Sequence, residues 1–250
     1  MSESIWYSFF DRTGYKGTDP HYYDVRETSW GADIEANWLE IRNELDSLIA
    51  GGHEMMPYFA KEMVNKAQSW KTIPFFAWGV KFHKNTKKCP NTIKLLESIP
   101  GMVSASFNLL EPHSTIKPHY GDTNAIYRCH LGLYIPAGLP QCGFKVGDED
   151  RPWQEGKLLL FCDAHYHTAW NNSDGYRYIL LFDVVRDKYK DSKKNVCSTV
   201  LASLFLQSAS EKIRFLKAMP YQLQYLTHAI SKFFAGLLIG PYNYWNKLVK

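Results

Sequence analysis

The sequence predicts a mostly β domain, a sandwich or barrel with helices packed outside it, followed by a helical tail. Six short apolar or alternating runs are typical of strands, because alternate side chains can then face a core. Clusters of Gly, Pro, Asn and Asp separate the runs, and no helix-length segments divide them as a parallel α/β sheet requires. The runs are Phe75–Phe82, Met102–Leu110, His130–Ile135, Gly143–Val146, Leu158–Phe161 and Arg177–Val184.

Two helices are predicted on the N-terminal side of most of these strands. Asp33 is placed to cap a helix with apolar residues at helical spacing, and Gly51-Gly52 ends it. A second, short helix is predicted over Asn91–Ser98, before Pro100-Gly101. The residues up to about Ala32 are rich in Tyr, Trp, Gly and Asp, which indicates an irregular arm.

The composition changes after Val185. A charged connector, Asp187–Lys194, leads into three apolar, helix-like segments: Val196–Leu206, Ile213–Leu226 and Ala229–Ile239. The predicted organisation is a domain over residues 1–190, with its core at 100–186, and a basic, apolar helical tail over 191–250. From residue 198 onward six basic residues face one acid, so the tail carries +5 while the rest of the chain carries −1.

Composition narrows the class of protein. Of 250 residues, 45% are apolar and 15% aromatic, which fits a folded domain and argues against disorder. The first residues lack the basic and apolar pattern of a secretory signal, so no export is expected. Five cysteines without a CxxC pair indicate reduced thiols in a cytoplasmic protein.

Several residues that can carry chemistry lie on the predicted strands or at their ends. Alternate side chains of a barrel strand point inward, so His119, His130, His165, His167 and Arg177 could converge on one cavity. Neutral imidazole suits iron, zinc, copper and nickel alike, so the histidines alone do not identify a metal. A guanidinium inside a barrel needs an anion, and a dicarboxylate could chelate a metal at one end and bind the arginine at the other.

An ordered series of motifs between Phe107 and Val185 carries a resemblance: HYGDTN, RCHLGLYIP, CGFKVG, WQEGK, FCDAHYHTAWN and RYILLFD. This region resembles the catalytic domain of the aspartyl/asparaginyl β-hydroxylase family, which also includes lipid A acyl-chain hydroxylases. The resemblance implies a double-stranded β-helix, or jelly roll, and a dioxygenase that uses Fe(II), 2-oxoglutarate as cosubstrate and O₂ to hydroxylate an unactivated C–H bond.

The resemblance also implies roles for individual residues. By position, His119 and His167 are the metal ligands, and Arg177 binds the distal carboxylate of 2-oxoglutarate. His130 is expected to contact the metal-proximal end of the cosubstrate. Arg128 stands where the family places an arginine that faces cosubstrate or substrate. We therefore group His119, His167 and Arg128 as catalytic.

The chain departs from the family pattern at several positions. Asn108 replaces a Ser that helps to hold the distal carboxylate, and is expected to bind the cosubstrate as a hydrogen-bond donor. Gly121 stands where many non-heme iron sites have a carboxylate ligand, and Asp122 is expected to face the other way. Asp163 belongs to a Cys-Asp-Ala segment where the family has Asp-Asp-Ser. Ile126 replaces a basic residue that peptide-hydroxylating members use.

Alternatives remain open for several of these residues. His165 and His167 could form a zinc site, His130 could be a core histidine, and Arg128 could belong to a structural ion pair. The substrate is expected to be a membrane-borne lipid or lipid-linked molecule, with peptidyl or free Asp/Asn as the alternative. A non-catalytic metal-binding jelly roll is the alternative from another class.

The tail has two interpretations of its own. Apolar helices after a barrel pack on it or form a homo-oligomer, whereas the aromatic residues and lysines of residues 198–250 are typical of an interfacial lipid anchor. Phe233–Ile239 is too short to cross a bilayer, so the expected location is cytoplasmic or peripheral on the inner face of the membrane. Nucleic acid is disfavoured because the charges are sparse and the tail is apolar.

Overall fold

A computed structural model describes residues 4–248 of the chain. Within these residues, twelve strands form two sheets, one of eight strands and one of four. The strands are β1 (Tyr22–Tyr23), β2 (Met56–Pro57), β3 (Trp70–Ala77), β4 (Val80–Lys81), β5 (Met102–Leu110), β6 (Ser114–His119), β7 (Ile126–Tyr134), β8 (Cys142–Val146), β9 (Glu149–Arg151), β10 (Leu158–Phe161), β11 (His167–Asn171) and β12 (Arg177–Val185).

The order of the strands defines a jelly roll. The large sheet runs β1-β10-β7-β12-β5-β3-β2 with β4 paired to β3, and the small sheet runs β6-β11-β8-β9. All pairings between these strands are antiparallel, and successive strands from β5 to β8 and from β10 to β12 alternate between the two sheets. The predicted double-stranded β-helix is therefore confirmed.

Helices cover the outer face of the large sheet and continue beyond the barrel. They are α1 (Gly31–Ala36), α2 (Trp38–Ala50), α3 (His83–Thr86), α4 (Pro90–Ser98), α5 (Lys193–Lys212), α6 (Arg214–Lys217) and α7 (Tyr221–Leu248). Short 3-10 turns occupy Val25–Glu27, Lys61–Met63 and Asp187–Ser192. None of the helices in the described part of the chain is both long enough and apolar enough to cross a membrane.

The N-terminal helices differ from the prediction in one respect. Instead of one helix capped by Asp33, α1 and α2 meet at Asn37, and Asp33 lies in the first turn of α1 without capping it. Both helices bury their apolar residues against the outer face of the large sheet together with α4. The helix predicted over Asn91–Ser98 is confirmed as α4.

Alternation along the central strands separates the core from the cavity. On β7, Cys129 and Leu131 pack into the core under the helices, while Arg128 and His130 point between the sheets. The same period of two applies to β12, because successive side chains of a strand leave opposite faces. The interior of the jelly roll thus receives polar side chains from strands that are otherwise apolar.

The tail forms a helical hairpin that rests on one end of the barrel. Its first helix, α5, buries Val196, Cys197 and Val200 in a cluster with Ile126 and Trp78, and Leu201 and Leu204 pack against that cluster. Its second long helix, α7, packs along α5. Of the interpretations left open for the tail, packing on the barrel therefore describes α5.

The N-terminal arm also reaches the barrel, next to the first histidine motif. The backbone amide of Trp6 donates to the side chain of Asn124, and the hydroxyl of Thr123 donates to the carbonyl of Trp6. Phe9 stacks on the imidazole of His228 in α7, with ring centroids 4.4 Å apart. The arm therefore bridges the barrel and the tail.

Candidate active site

Two histidines face each other on neighbouring strands of the small sheet. His119 is the last residue of β6 and His167 the first of β11, and the antiparallel register pairs them directly. Their ring centroids are 4.2 Å apart. Both line a cavity of about 360 Å³ between the two sheets. The structure therefore brings together the two residues that the sequence predicts as metal ligands.

The backbone determines which nitrogen of each ring carries the proton. Nδ1 of His119 lies 2.8 Å from the carbonyl oxygen of Lys117, and Nδ1 of His167 lies 2.8 Å from that of His165. A carbonyl oxygen only accepts, so each Nδ1 is protonated and each Nε2 keeps its lone pair. Burial lowers the pKa of His119 to about 4 and that of His167 well below its ordinary value. Both rings are neutral, as metal ligands must be.

A group of three carboxylates surrounds Arg128 beside this pair. Arg128 lies directly opposite Asp183 in the sheet, and its Nε donates to the Oδ1 of Asp183 at 2.8 Å. Its Nη1 lies 2.5 Å from Asp163, and its Nη2 lies 3.8 Å from Asp122. Burial raises the pKa of Asp122 to about 6 and that of Asp163 to about 7. Arg128 thus forms the structural ion pair that the sequence left open, and its contact with a cosubstrate stays a prediction.

Asp163 occupies the space that a side chain at position 121 would need. A Cβ atom on Gly121 would come within 2.0 Å of the Cγ of Asp163. The carboxylate accepts from the backbone amide of Asp122 at 2.8 Å and lies 3.8 Å from Nε2 of His167. The structure therefore shows a carboxylate near the histidine pair, contributed by a different segment of the chain than the usual His-x-Asp pattern.

Asp122 lines the cavity, although we expected it to face the other way. Its side chain forms an ion pair with Arg128 rather than a described contact with the histidines. Over residues 4–248, no three His, Cys, Asp or Glu side chains converge as a group that could hold a metal ion. Within the described chain, the metal-binding geometry therefore rests on the histidine pair.

Arg177 is the largest of the fully buried side chains in the described structure. The residue is 1% exposed, lies at the start of β12 and lines the cavity. Its Nε has no hydrogen-bond partner, and no described carboxylate lies within ion-pair distance of the guanidinium. Burial lowers its pKa to about 10. An isolated buried cation is costly, so this position fits an anionic ligand that the protein itself does not supply.

Trp153 connects Arg177 to His130. The guanidinium carbon lies 4.5 Å from the centroid of the indole ring, and the indole Nε1 donates to Nδ1 of His130 at 3.2 Å. Because Trp can only donate, Nδ1 of His130 is the acceptor and its Nε2 carries the proton. Burial and the charge of Arg177 lower the pKa of His130 well below its ordinary value. His130 is thus neutral and presents an N–H donor in the cavity wall, so it does not add a third nitrogen lone pair to those of His119 and His167.

Aromatic rings fill the space between the histidine pair and His130. Phe161 lies 5.4 Å from His167 and 5.0 Å from His130, measured between ring centroids, and Phe144 also packs on both. At the opposite wall Tyr58 stacks on Trp70, with centroids 3.7 Å apart. The cavity is therefore polar at a few defined points and apolar elsewhere, as small-molecule sites commonly are.

Asn108 lines the cavity, but its carboxamide is engaged by the protein. Its oxygen accepts from Nε1 of Trp70 at 3.0 Å, and its nitrogen donates to the carbonyl and the hydroxyl oxygens of Ser106. A direct contact with a cosubstrate would require one of these hydrogen bonds to be exchanged. The expected role of Asn108 in cosubstrate binding stays a prediction.

Two residues lie elsewhere than the sequence indicated. His165 is not in the cavity wall; its Nε2 contacts the carbonyl of Asp19 in the N-terminal arm at 2.7 Å, and its ring packs on His21. The expectation that it joins the other histidines is therefore wrong, and with it the zinc alternative loses one ligand. Ile126 is buried between the barrel and α5, so its lack of charge says nothing about the cavity.

Sequence reasoning missed the role of Trp153 and the acids that hold Arg128. For Asp183 a signal existed: it is six residues after Arg177 on the same strand, and therefore on the same face. For Trp153 no local signal exists, because its contacts with His130 and Arg177 join three separate segments.

The sequence profile described as aspartyl/asparaginyl beta-hydroxylase matches residues 35–187. The chain is 34% identical over 191 residues to the ornithine lipid ester-linked acyl 2-hydroxylase of Rhizobium tropici, covering 74% of this chain and 68% of that protein. It is also 34% identical over 182 residues to aspartate beta-hydroxylase domain-containing protein 2 of Mus musculus, covering 69% of this chain and 50% of that protein.

The chain thus spans about half the length of the murine relative. Among solved structures, a prolyl-4-hydroxylase of Pseudomonas putida aligns with a TM-score of 0.44 at 14% identity, over 60% of this chain and 87% of that one. The profile match extends from α1 to the end of β12 and includes both histidines, Arg128, His130 and Arg177. The chain therefore belongs to the aspartyl/asparaginyl β-hydroxylase family of hydroxylases.

Proposed function

We propose that this protein is an Fe(II)- and 2-oxoglutarate-dependent dioxygenase that hydroxylates a C–H bond of a lipid or lipid-linked substrate. The observation that carries the proposal is Arg177, a fully buried guanidinium with no anionic partner among the described residues, in the same cavity as a pair of neutral histidines. A dicarboxylate that chelates a metal is the class of ligand that satisfies both ends at once.

The donor set fits a ferrous ion. His119 and His167 present Nε2 lone pairs on adjacent strands, and backbone carbonyls hold both rings in the required tautomer, as is usual for metal-binding histidines. The nearby carboxylates of Asp163 and Asp122 make the surroundings favourable for a cation. When bound there, iron with 2-oxoglutarate and O₂ would supply the oxidising power for attack on an unactivated C–H bond.

The chain's own residues would bind and orient the cosubstrate. Arg177 can donate two parallel hydrogen bonds to a carboxylate, and its stacking on Trp153 keeps the guanidinium plane in place. His130, protonated at Nε2, can donate to an oxygen nearer the histidine pair. The rings of Phe144 and Phe161 exclude water from the space between His130 and the histidine pair. The lower dielectric constant there strengthens each polar contact.

Two observations favour a lipid-like substrate. Apolar and aromatic side chains form much of the cavity wall, and Tyr58, Phe76, Trp78, Ile179 and Leu204 are among them. The Rhizobium tropici relative, which is named for hydroxylating an ornithine lipid acyl chain, aligns over 74% of this chain. Hydroxylation of peptidyl or free Asp/Asn, the activity for which other relatives are named, is the alternative that the substrate test must separate.

The cosubstrate is tested by anaerobic titration of the purified protein with Fe(II), followed by 2-oxoglutarate. We expect a visible charge-transfer band that His119→Ala abolishes, and 2-oxoglutarate-dependent formation of succinate in air. A protein that retains stoichiometric zinc, gives no band and forms no succinate after iron reconstitution would instead be the non-catalytic metal-binding module.

The substrate class is tested separately. Lipid extracts of cells that produce the wild type and of cells that produce His119→Ala are compared by mass spectrometry, and a lipid that gains one oxygen only with the wild type supports the proposal. Peptides and free amino acids containing Asp or Asn form the second arm. Hydroxylation confined to that arm would retain the dioxygenase and reject the lipid substrate.

A further inference from the structure

The outer face of α7 carries large apolar side chains that no other part of the described structure covers. Ile230, Phe233, Leu237, Tyr244 and Leu248 follow helical spacing along one stripe, and each is more than half exposed, with Phe233 at 63% and Tyr244 at 68%. Leu226, Phe234, Leu238 and Trp245 widen this face. Contiguous apolar patches of this kind mark interaction surfaces on soluble domains.

The inner face of the same helix is mostly small or polar, apart from Ile239, which packs against the apolar cluster of α5 and the barrel. His228 is 1% exposed, and its Nε2 lies 3.1 Å from the carbonyl of Thr199 on α5. Asn243 donates to the carbonyl of Gly79 at 2.8 Å and accepts from the amide of Lys81 at 2.9 Å. The contacts with the protein are thus mainly polar, while most of the large apolar side chains of α7 face outward. This orientation is the reverse of that of an ordinary surface helix.

The outer apolar face continues into a groove between α7 and α5. Phe205, Phe234, Leu238 and Tyr242 line it, and its volume is about 510 Å³. Phe205 itself is 63% exposed. The apolar surface therefore extends across both helices of the hairpin rather than along one ridge of α7.

Positive charge borders this surface. Helix α7 contains Lys232 and Lys247 and no acidic residue. The side chain of Lys194, from the first turn of α5, reaches to within 3.9 Å of the Cβ position of Gly236 in the middle of α7. Over residues 198–250 the net charge is +5. A second copy of the chain would bring the same charge to the contact, whereas an anionic surface is complementary to it.

We propose that the outer face of the α5–α7 hairpin docks on the surface of an anionic lipid bilayer. Aromatic and aliphatic side chains would enter the boundary between headgroups and acyl chains, while the lysines remain at the headgroups. Tyr242, Tyr244 and Trp245, near the C-terminal end of α7, have the amphipathic rings that favour this level.

Docking would also bring one wall of the active-site cavity close to the lipid. Leu204 lies on α5 and lines the cavity that contains His119 and His167. One residue of the cavity wall and the exposed apolar face therefore belong to the same helical hairpin. Docking does not depend on the proposed activity, because binding of the protein to vesicles is measured without turnover.

The test is flotation of the full-length protein with vesicles of phosphatidylcholine alone or with phosphatidylglycerol added. Wild type should bind the anionic vesicles, and binding should fall as salt screens the charges. The double variant Phe233→Ser/Leu237→Ser should reduce partitioning at least about tenfold, because both side chains would lose burial in the interface. Leu39→Ser is the matched control: Leu39 is 51% exposed on α2, outside the tail, and its variant should bind like wild type.

Two further measurements keep the test decisive. Thermal unfolding should show that the double variant folds, since the side chains of Phe233 and Leu237 are mainly in solvent. Lys232→Glu/Lys247→Glu should lose the preference for phosphatidylglycerol. Equal binding of wild type and double variant, or no binding at all, would overturn the proposal. So would a wild-type dimer that the double variant converts to monomer without any vesicle binding, since the face would then belong to a second copy.

Discussion

Replacing Arg177 by Met should stabilise the protein when metal and cosubstrate are absent. Burial lowers the pKa of Arg177 from 12.5 to about 10. At about 1.4 kcal/mol per pKa unit, holding the guanidinium charged inside the fold costs on the order of 3 kcal/mol. The variant also loses the stacking on Trp153, a contribution of about 1 kcal/mol. The free energy of unfolding at pH 7 should therefore rise by about 2 kcal/mol.

The pH dependence of this effect has a definite sign. Unfolded Arg177 keeps its proton up to its ordinary pKa, whereas the folded protein releases it near pH 10. Between these values the unfolded state binds more protons, so the stability of the wild type rises with pH there. Below that window the cost is complete and independent of pH. Denaturant unfolding at pH 7 therefore compares the wild type with Arg177→Met under conditions in which the wild type bears the full free-energy cost of the buried charge.

A buried but paired arginine provides the control. Arg186 is 7% exposed, and its Nη1 lies 2.8 Å from Asp19. Arg186→Met leaves that carboxylate buried with fewer partners, so it should destabilise the protein by roughly 3–5 kcal/mol. The two variants should therefore shift stability in opposite directions.

The ligand completes the test. Under anaerobic conditions with Fe(II), 2-oxoglutarate at about 100 times its Kd should stabilise the wild type by about 2.7 kcal/mol, and should not stabilise Arg177→Met. If Arg177→Met were less stable than the wild type without ligand, and still gained stability with 2-oxoglutarate, the interpretation of Arg177 as an unpaired anion receptor would be refuted.

Three further predictions concern the same cavity. His167→Ala should abolish the Fe(II)-dependent absorbance and lower the affinity for the metal at least about tenfold, measured by equilibrium dialysis. Gly121→Asp should not create a third metal ligand, because the new Cβ would lie 2.0 Å from Cγ of Asp163. The clash should instead lower the melting temperature of the variant. Tighter metal binding by this variant would contradict the prediction. Trp153→Phe removes the hydrogen-bond donor to Nδ1 of His130, so the free energy of unfolding should fall by about 1–3 kcal/mol. The KM for 2-oxoglutarate should also rise. An unchanged KM would show that Trp153 does not contribute to cosubstrate binding.

The strands were the most predictable part of the fold. The runs Met102–Leu110 and Leu158–Phe161 match β5 and β10, because apolar alternation between turn residues is a strong local signal. β6 and β11, which end and begin with the site histidines, were not among the predicted runs. Both are short and rich in polar residues, since they carry the site, so their pattern does not resemble that of a buried strand.

The site was predictable where it followed strand position and family motif, and obscure where it depended on contacts between distant segments. His119, His167 and Arg177 could be identified from their motifs. The position of Asp163 beneath Gly121 could not, because it depends on how the turn before β11 packs against the end of β6. The position of His165 was predicted wrongly for a related reason. Strand alternation places its side chain on the same face as that of His167, but His165 precedes the strand and contacts the N-terminal arm instead.

The electrostatics of the cavity explain why its two unusual ends occur together. At one end three carboxylates meet one guanidinium, that of Arg128, so negative charge is in excess beside His167. At the other end Arg177 is positive and unpaired. Either charge imbalance, if no ligand relieved it, would only destabilise the fold. A divalent cation and a dicarboxylate add no net charge, yet they neutralise both ends if the cation lies at the histidines and a carboxylate at Arg177. On this reasoning, metal and cosubstrate should stabilise the protein together by more than the sum of their separate effects, because each relieves the charge imbalance that opposes binding of the other.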